Sequence, residues 1–108
     1  QNVDAALDLL KKASALKPQD ASITDSLGWA KFVTGDVKGA VPVLERAAAG
    51  APGDATINEH LGDALWTAGR RYEARYAWRA AAVFAEGDVA NRLDAKAREG
   101  LKPEYAAP

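Results

Sequence analysis

The chain repeats itself. "SLGWAKFVTG" at residues 26–35 and "HLGDALWTAG" at residues 60–69 share a Leu-Gly pair followed by a Gly seven positions on, and the two copies lie 34 residues apart. The same period aligns Ile23 with Ile57 and Ala30 with Ala64. It also produces three-fold sets: Ala6, Ala40 and Ala74; Ala13, Ala47 and Ala81; Leu10, Leu44 and Trp78. A fixed period of roughly 20 to 50 residues belongs to stacked supersecondary units, each burying its apolar face only against its neighbours. This one property excludes most other architectures for the chain.

Inside each unit the apolar residues recur at helical spacing. Ile23, Leu27 and Ala30 mark a first helix, and Val37, Ala40, Val41, Leu44 and Ala47 a second, with Gly35-Asp36 as the break. The next unit repeats the scheme with Ile57, Leu61, Ala64 and Leu65, then Tyr72, Ala74, Ala77, Trp78 and Ala81, around Gly69-Arg70. Asp20, Asp54 and Asp88 each precede a helical pattern, where a carboxylate accepts from the unpaired amides of a first turn, so all three are expected as N-caps. Pro18 and Pro52 end second helices, because proline offers no N–H and biases its predecessor away from helical geometry. Gly28, Gly62, Ala40 and Ala74 are small where two helices must approach closely. Pro42 falls inside a predicted helix and is expected to kink it or loosen its first turn.

On these residues the chain resembles the tetratricopeptide repeat family, whose unit carries Leu-Gly in its first helix, then Gly, Ala, a bulky residue, Ala and a closing Pro. Leu27-Gly28, Gly35, Ala40, Leu44, Ala47 and Pro52 fill those places in one repeat, and Leu61-Gly62, Gly69, Ala74, Trp78 and Ala81 in the next. Thr24 and Asn58 stand where the family usually has an early tryptophan, and Glu86 where the closing proline would be. "INEHLGDALWTAGRRYEARYAW" further resembles the C-terminal repeats of longer bacterial proteins of this family. The resemblance implies a single all-α, right-handed solenoid. Residues 1–20 would form the second helix of a truncated repeat, 21–54 and 55–88 full repeats, 89–101 a polar capping helix, and 102–108 a disordered tail. Without a first helix of its own repeat, the face carrying Val3, Leu7 and Leu10 is expected to be a sticky edge open to self-association.

Composition narrows the function classes. A formal net charge of -1 provides no global basic field for nucleic acid or an anionic membrane. No window approaches the roughly 18 apolar residues of a membrane span. Cysteine is absent, which removes disulfides and thiolate chemistry and is compatible with the cytoplasm and the bacterial periplasm alike. Gln at residue 1 and the absence of Met imply a segment of something longer.

Catalytic chemistry finds little to build on. The glycines are not gathered into a phosphate-binding loop, and the single histidine, His60, cannot form a histidine metal pair, so no cofactor or metal is expected. Glu59 and Asp63, four apart on one helical face, read either as a solvated acidic face or, with His60, as an enzyme's acid–base group; the former is preferred because solenoid helices offer no closed pocket. Arg71, Arg75 and Arg79 form a stripe at helical spacing, read as a solvated convex face rather than a grip for nucleic acid or an acidic partner.

The family's first helices line a concave groove, and the resemblance places Asp25, Trp29, Phe32, Glu59, Asp63 and Trp66 on it. Aromatic anchors among carboxylates would suit a basic or apolar peptide. For Phe32 and Trp66 packing competes with ligand contact, whereas Trp29 is expected to be accessible. A grip on the C-terminal carboxylate of chaperones, which in this family needs Lys and Asn, is opposed by Asp25 and Glu59, Trp29 and Asp63 at the corresponding places. The expected function is a non-catalytic scaffold or adaptor module that binds a partner protein. The alternative is a purely structural C-terminal cap of a longer array whose groove lies upstream.

Overall fold

The computed structural model describes residues 2–108. Among the described residues six α-helices follow one another: α1 (Asn2–Leu16), α2 (Ala21–Val33), α3 (Val37–Gly50), α4 (Ala55–Thr67), α5 (Arg71–Val83) and α6 (Gly87–Glu99), then a 3-10 turn over Pro103–Tyr105. Helices α2 and α3 form one antiparallel hairpin and α4 and α5 another, stacked chiefly through α3 against α4, with α1 and α6 at the two ends.

The repeated sequence is a repeated lock. Gly28 of α2 faces Leu44 of α3, and Gly62 of α4 faces Trp78 of α5; a Cβ at Gly28 would lie 2.7 Å from Leu44 Cγ, and one at Gly62 would collide with the Trp78 indole. Leu44 and Trp78, one period apart, have no exposed surface. Each Gly therefore admits the bulky residue that closes its hairpin, which is why the pair recurs. Gly35 and Gly69 adopt φ of 97° and 87°, the left-handed turn by which the chain leaves each first helix.

Capping follows the sequence at two of three aspartates. Asp20 accepts from the Ile23 amide at 3.1 Å and Asp54 from the Ile57 amide at 3.0 Å. Asp88 does not cap α6, which begins earlier, at Gly87; Glu86 holds the N-cap place without a side-chain bond, and Asp88 lies in the first turn. Asp36, read only as part of a break, caps α3 through the Gly39 amide at 2.9 Å. Helix α3 runs unbroken past Pro42, which is exposed. On α5, Tyr72 departs from the buried pattern and is 84% exposed. On α1, Leu7 and Leu10 are half-buried, and the more exposed apolar residues are Leu9 and Leu16 together with Val3.

The C-terminal end differs most from expectation. Helix α6 spans 87–99 rather than 89–101, and Gly100, at φ 90°, turns the chain back against Trp66. The residues expected as a disordered tail fold over the end of the stack. Lys102 pairs with Glu99 at 2.9 Å, and the Tyr105 hydroxyl donates to the same carboxylate at 3.0 Å.

Candidate functional site: the face formed by α2, α4 and α6

Residues close to one period apart on successive first helices meet face to face, and here they meet as opposite charges. Glu59 on α4 receives Arg92 Nε at 2.7 Å, Arg92 Nη2 at 2.6 Å and Lys96 Nζ at 2.7 Å. Asp63, one turn on, receives Lys96 Nζ at 2.9 Å and Trp78 Nε1 at 3.0 Å. Glu59 and Arg92 are 33 positions apart, as are Asp63 and Lys96. Two carboxylates four apart on α4 are thus matched by two cations four apart on α6.

Burial makes this network structural. Lys96 is fully buried and Asp63 nearly so. An ammonium in such a place is tolerated only when paired and hydrogen-bonded. The two carboxyl groups respond in opposite directions. Burial works against ionisation of Glu59, but the hydrogen bonds from Arg92 and Lys96 outweigh it and hold its pKa below the ordinary value. At Asp63 burial wins over Lys96 and Trp78 and pushes the carboxyl up.

Neither carboxylate belongs to a solvated acidic face, and the charge the sequence offered a basic ligand is taken by the chain's own α6. Asp25 is likewise engaged: its carboxylate meets His60 Nδ1 at 2.9 Å. Trp29 stacks on the His60 ring at a centroid distance of 3.9 Å and 13° between planes, and on Phe32 at 4.9 Å and 25°. Asp25 thereby orients the ring that supports Trp29. Trp29 and Phe32 are both half-buried, and both line a cleft of about 420 Å³. Across that cleft lie Pro103, Ala106 and Ala107 of the C-terminal segment.

Trp66 is drawn into packing. Its ring rests against Gly100, lies 5.6 Å from Trp78, and is covered by the Arg71 and Arg75 guanidinium groups at 4.4 and 4.9 Å from the ring centroid. Arg75 also donates to the Ala97 carbonyl of α6 at 3.1 Å. The arginine stripe is therefore not a simple solvated face; two of its members clamp Trp66 and the end of α6, and Arg79 stays exposed. Of the six groove residues taken from the sequence, Glu59, Asp63 and Trp66 come together with Arg92, Lys96 and Arg75, while Asp25 and Trp29 meet at His60 and Phe32 stacks on Trp29.

Among the described residues no group of three or more His, Cys, Asp or Glu is placed to hold a metal ion, and no helix is long and apolar enough to cross a membrane.

Hairpins locked by a Gly and a bulky partner, stacked in register with a terminal polar helix, define a helical solenoid of the tetratricopeptide type. The solved structure MamA MSR-1 C2, a protein of tetratricopeptide repeats, superposes with a TM-score of 0.73 at 29% identity, over 92% of this chain and 57% of that one. The chain spans a little over half the length of that relative. Twelve chains of solved structures match in all. No family model matches the chain, and no curated protein does. A fold of this type generally serves as a protein-interaction scaffold.

Proposed function

We propose that this chain is a non-catalytic protein-interaction module whose working surface is the aromatic shelf of Trp29 and Phe32. The observation that carries this reading is the placement of Trp29: a tryptophan stacked on a buried imidazole yet left half-open to a cleft. Packing alone has no use for the open half, whereas aromatic anchors held rigid from behind commonly dominate the energy of protein interfaces. With Asp25, Glu59 and Asp63 engaged internally, the partner is recognised by apolar contact and not by positive charge.

Affinity capture with the wild-type chain and with Trp29→Ala tests this, the bound proteins being compared by mass spectrometry. A protein held by the first and lost by the second supports the shelf; equal retention refutes it.

The second reading, a terminal cap, is favoured by a separate observation. Helix α6 satisfies the carboxylates of α4 completely and presents Asp88, Asn91, Asp94 and Arg98 to solvent. An outer polar face is what an array needs where stacking stops. The two roles are compatible in one chain, and only the first requires Trp29.

A further inference from the structure

The cleft beside Trp29 has two walls of different chemistry. One is the stacked pair Trp29 and Phe32; the other is Pro103, Ala106 and Ala107, brought across by the turn at Gly100. Its volume, about 420 Å³, falls within the roughly 300–1,000 Å³ of ligand pockets.

The charges that border the cleft are already matched. Asp63 is bound by Lys96 at 2.9 Å, and Lys102 by Glu99 at 2.9 Å. A charged group entering the cleft would be desolvated and find no free counter-charge. An uncharged segment meets aromatic faces on one side and small apolar groups on the other. Proline-rich segments dock on aromatic-lined grooves in this manner, because their backbone is already extended and loses little entropy.

Resting on the reading of Trp29 as a working surface, we propose that the slot between the Trp29–Phe32 shelf and residues 101–107 takes a short, uncharged, Pro/Ala-rich segment of a partner protein. The C-terminal segment is then the second wall of the site. The wall is fastened by Lys102 and Tyr105 to the single carboxylate of Glu99.

The experiment is a ¹⁵N NMR titration of the full chain with a capped octapeptide of alternating Ala and Pro, and with the same peptide carrying two Lys or two Glu. The Trp29 indole N–H reports the slot. The Trp78 indole N–H, bonded to buried Asp63, reports whether the fold is intact. The expected result is a saturable shift of Trp29 with the uncharged peptide, weakened about tenfold or more in Ala107→Asp and in either charged peptide, with Trp78 unmoved. No shift at Trp29, or equal binding by the charged peptides, overturns the proposal. A protein captured through Trp29 that Ala107→Asp binds equally well, and that the Ala/Pro peptide does not displace, leaves the shelf standing and removes the slot. Loss of any Trp29 dependence in capture removes the shelf itself.

Discussion

The ammonium of Lys96, on the last helix, sits 2.9 Å from Asp63 Oδ1 and 2.7 Å from Glu59 Oε2, and none of its own surface reaches water. This contact ties the polar terminal helix to the second repeat. Removing the cation leaves two buried carboxylates with one fewer partner, so Lys96→Met is expected to cost about 3–5 kcal/mol. Adding Asp63→Asn, which still offers an acceptor to the Trp78 N–H, should recover part of that loss. Urea unfolding of the two single variants and the double should give a coupling of about 0.5–3 kcal/mol; strictly additive losses contradict a direct bond.

The glycine lock predicts an inverted helix-propensity result. Ala in place of Gly in a helix interior normally stabilises by about 1 kcal/mol. Gly62→Ala should instead destabilise by about 1–3 kcal/mol, because its Cβ meets the Trp78 indole in a filled core. Combining Gly62→Ala with Trp78→Ala, which removes the indole the new Cβ meets, should give a loss smaller than the sum of the two single losses; a less-than-additive result in thermal unfolding would tie the loss to that contact. A gain in stability from Gly62→Ala alone contradicts the lock.

On acidification the two carboxyls should depart from their ordinary behaviour in opposite senses, Asp63 protonating above the usual aspartate value and Glu59 below the usual glutamate value. The linkage signs follow from these directions. Glu59, with its folded pKa depressed, contributes stability that is complete above the unfolded glutamate value and disappears as pH falls through its folded value. Asp63, with its folded pKa raised, costs stability while ionised, a cost relieved as pH falls through that raised value. The two contributions to the pH dependence of stability therefore have opposite signs. Carboxyl ¹³C titration of the wild type, set against Asp63→Asn and Glu59→Gln, checks both directions, and a shift of either group in the other sense contradicts them.

Much of the architecture was legible in the sequence because a repeat states its contacts more than once. Leu27-Gly28 and Leu61-Gly62, read with Leu44 and Trp78, located the hairpins, and Asp20 and Asp54 located two helix starts. Groove chemistry was less legible. Glu59 and Asp63 looked available because their partners lie in α6, beyond the last clear repeat, where Leu-Gly has given way to Ala95-Lys96. Carrying the 34-residue register one repeat further lands on Leu93 and Ala97, one place past Arg92 and Lys96, so the match is hidden by a one-residue offset although the four-residue spacing of Glu59 and Asp63 is kept. The C-terminal segment gave a weaker signal. Gly100 and Pro103 mark a turn, but nothing in "KPEYAAP" says that the turn directs it across Trp29. The pairing of Asp25 with His60, 35 positions apart, joins α2 to α4 as the Glu59–Arg92 pairing, 33 positions apart, joins α4 to α6, each one residue off the 34-residue period.

The central claim concerns Trp29, and the most direct measurement compares Trp29→Ala with Trp78→Ala in unfolding free energy and in affinity for the captured partner. Trp78 is fully buried, and its loss should cost about 3–5 kcal/mol. Trp29, half-buried and stacked on His60 and Phe32, should cost only about 1–2 kcal/mol of stability. Its loss should nonetheless weaken partner binding by at least about 2 kcal/mol, roughly thirtyfold. A Trp29→Ala chain that unfolds as readily as Trp78→Ala while binding unchanged would assign Trp29 to the core and contradict the account.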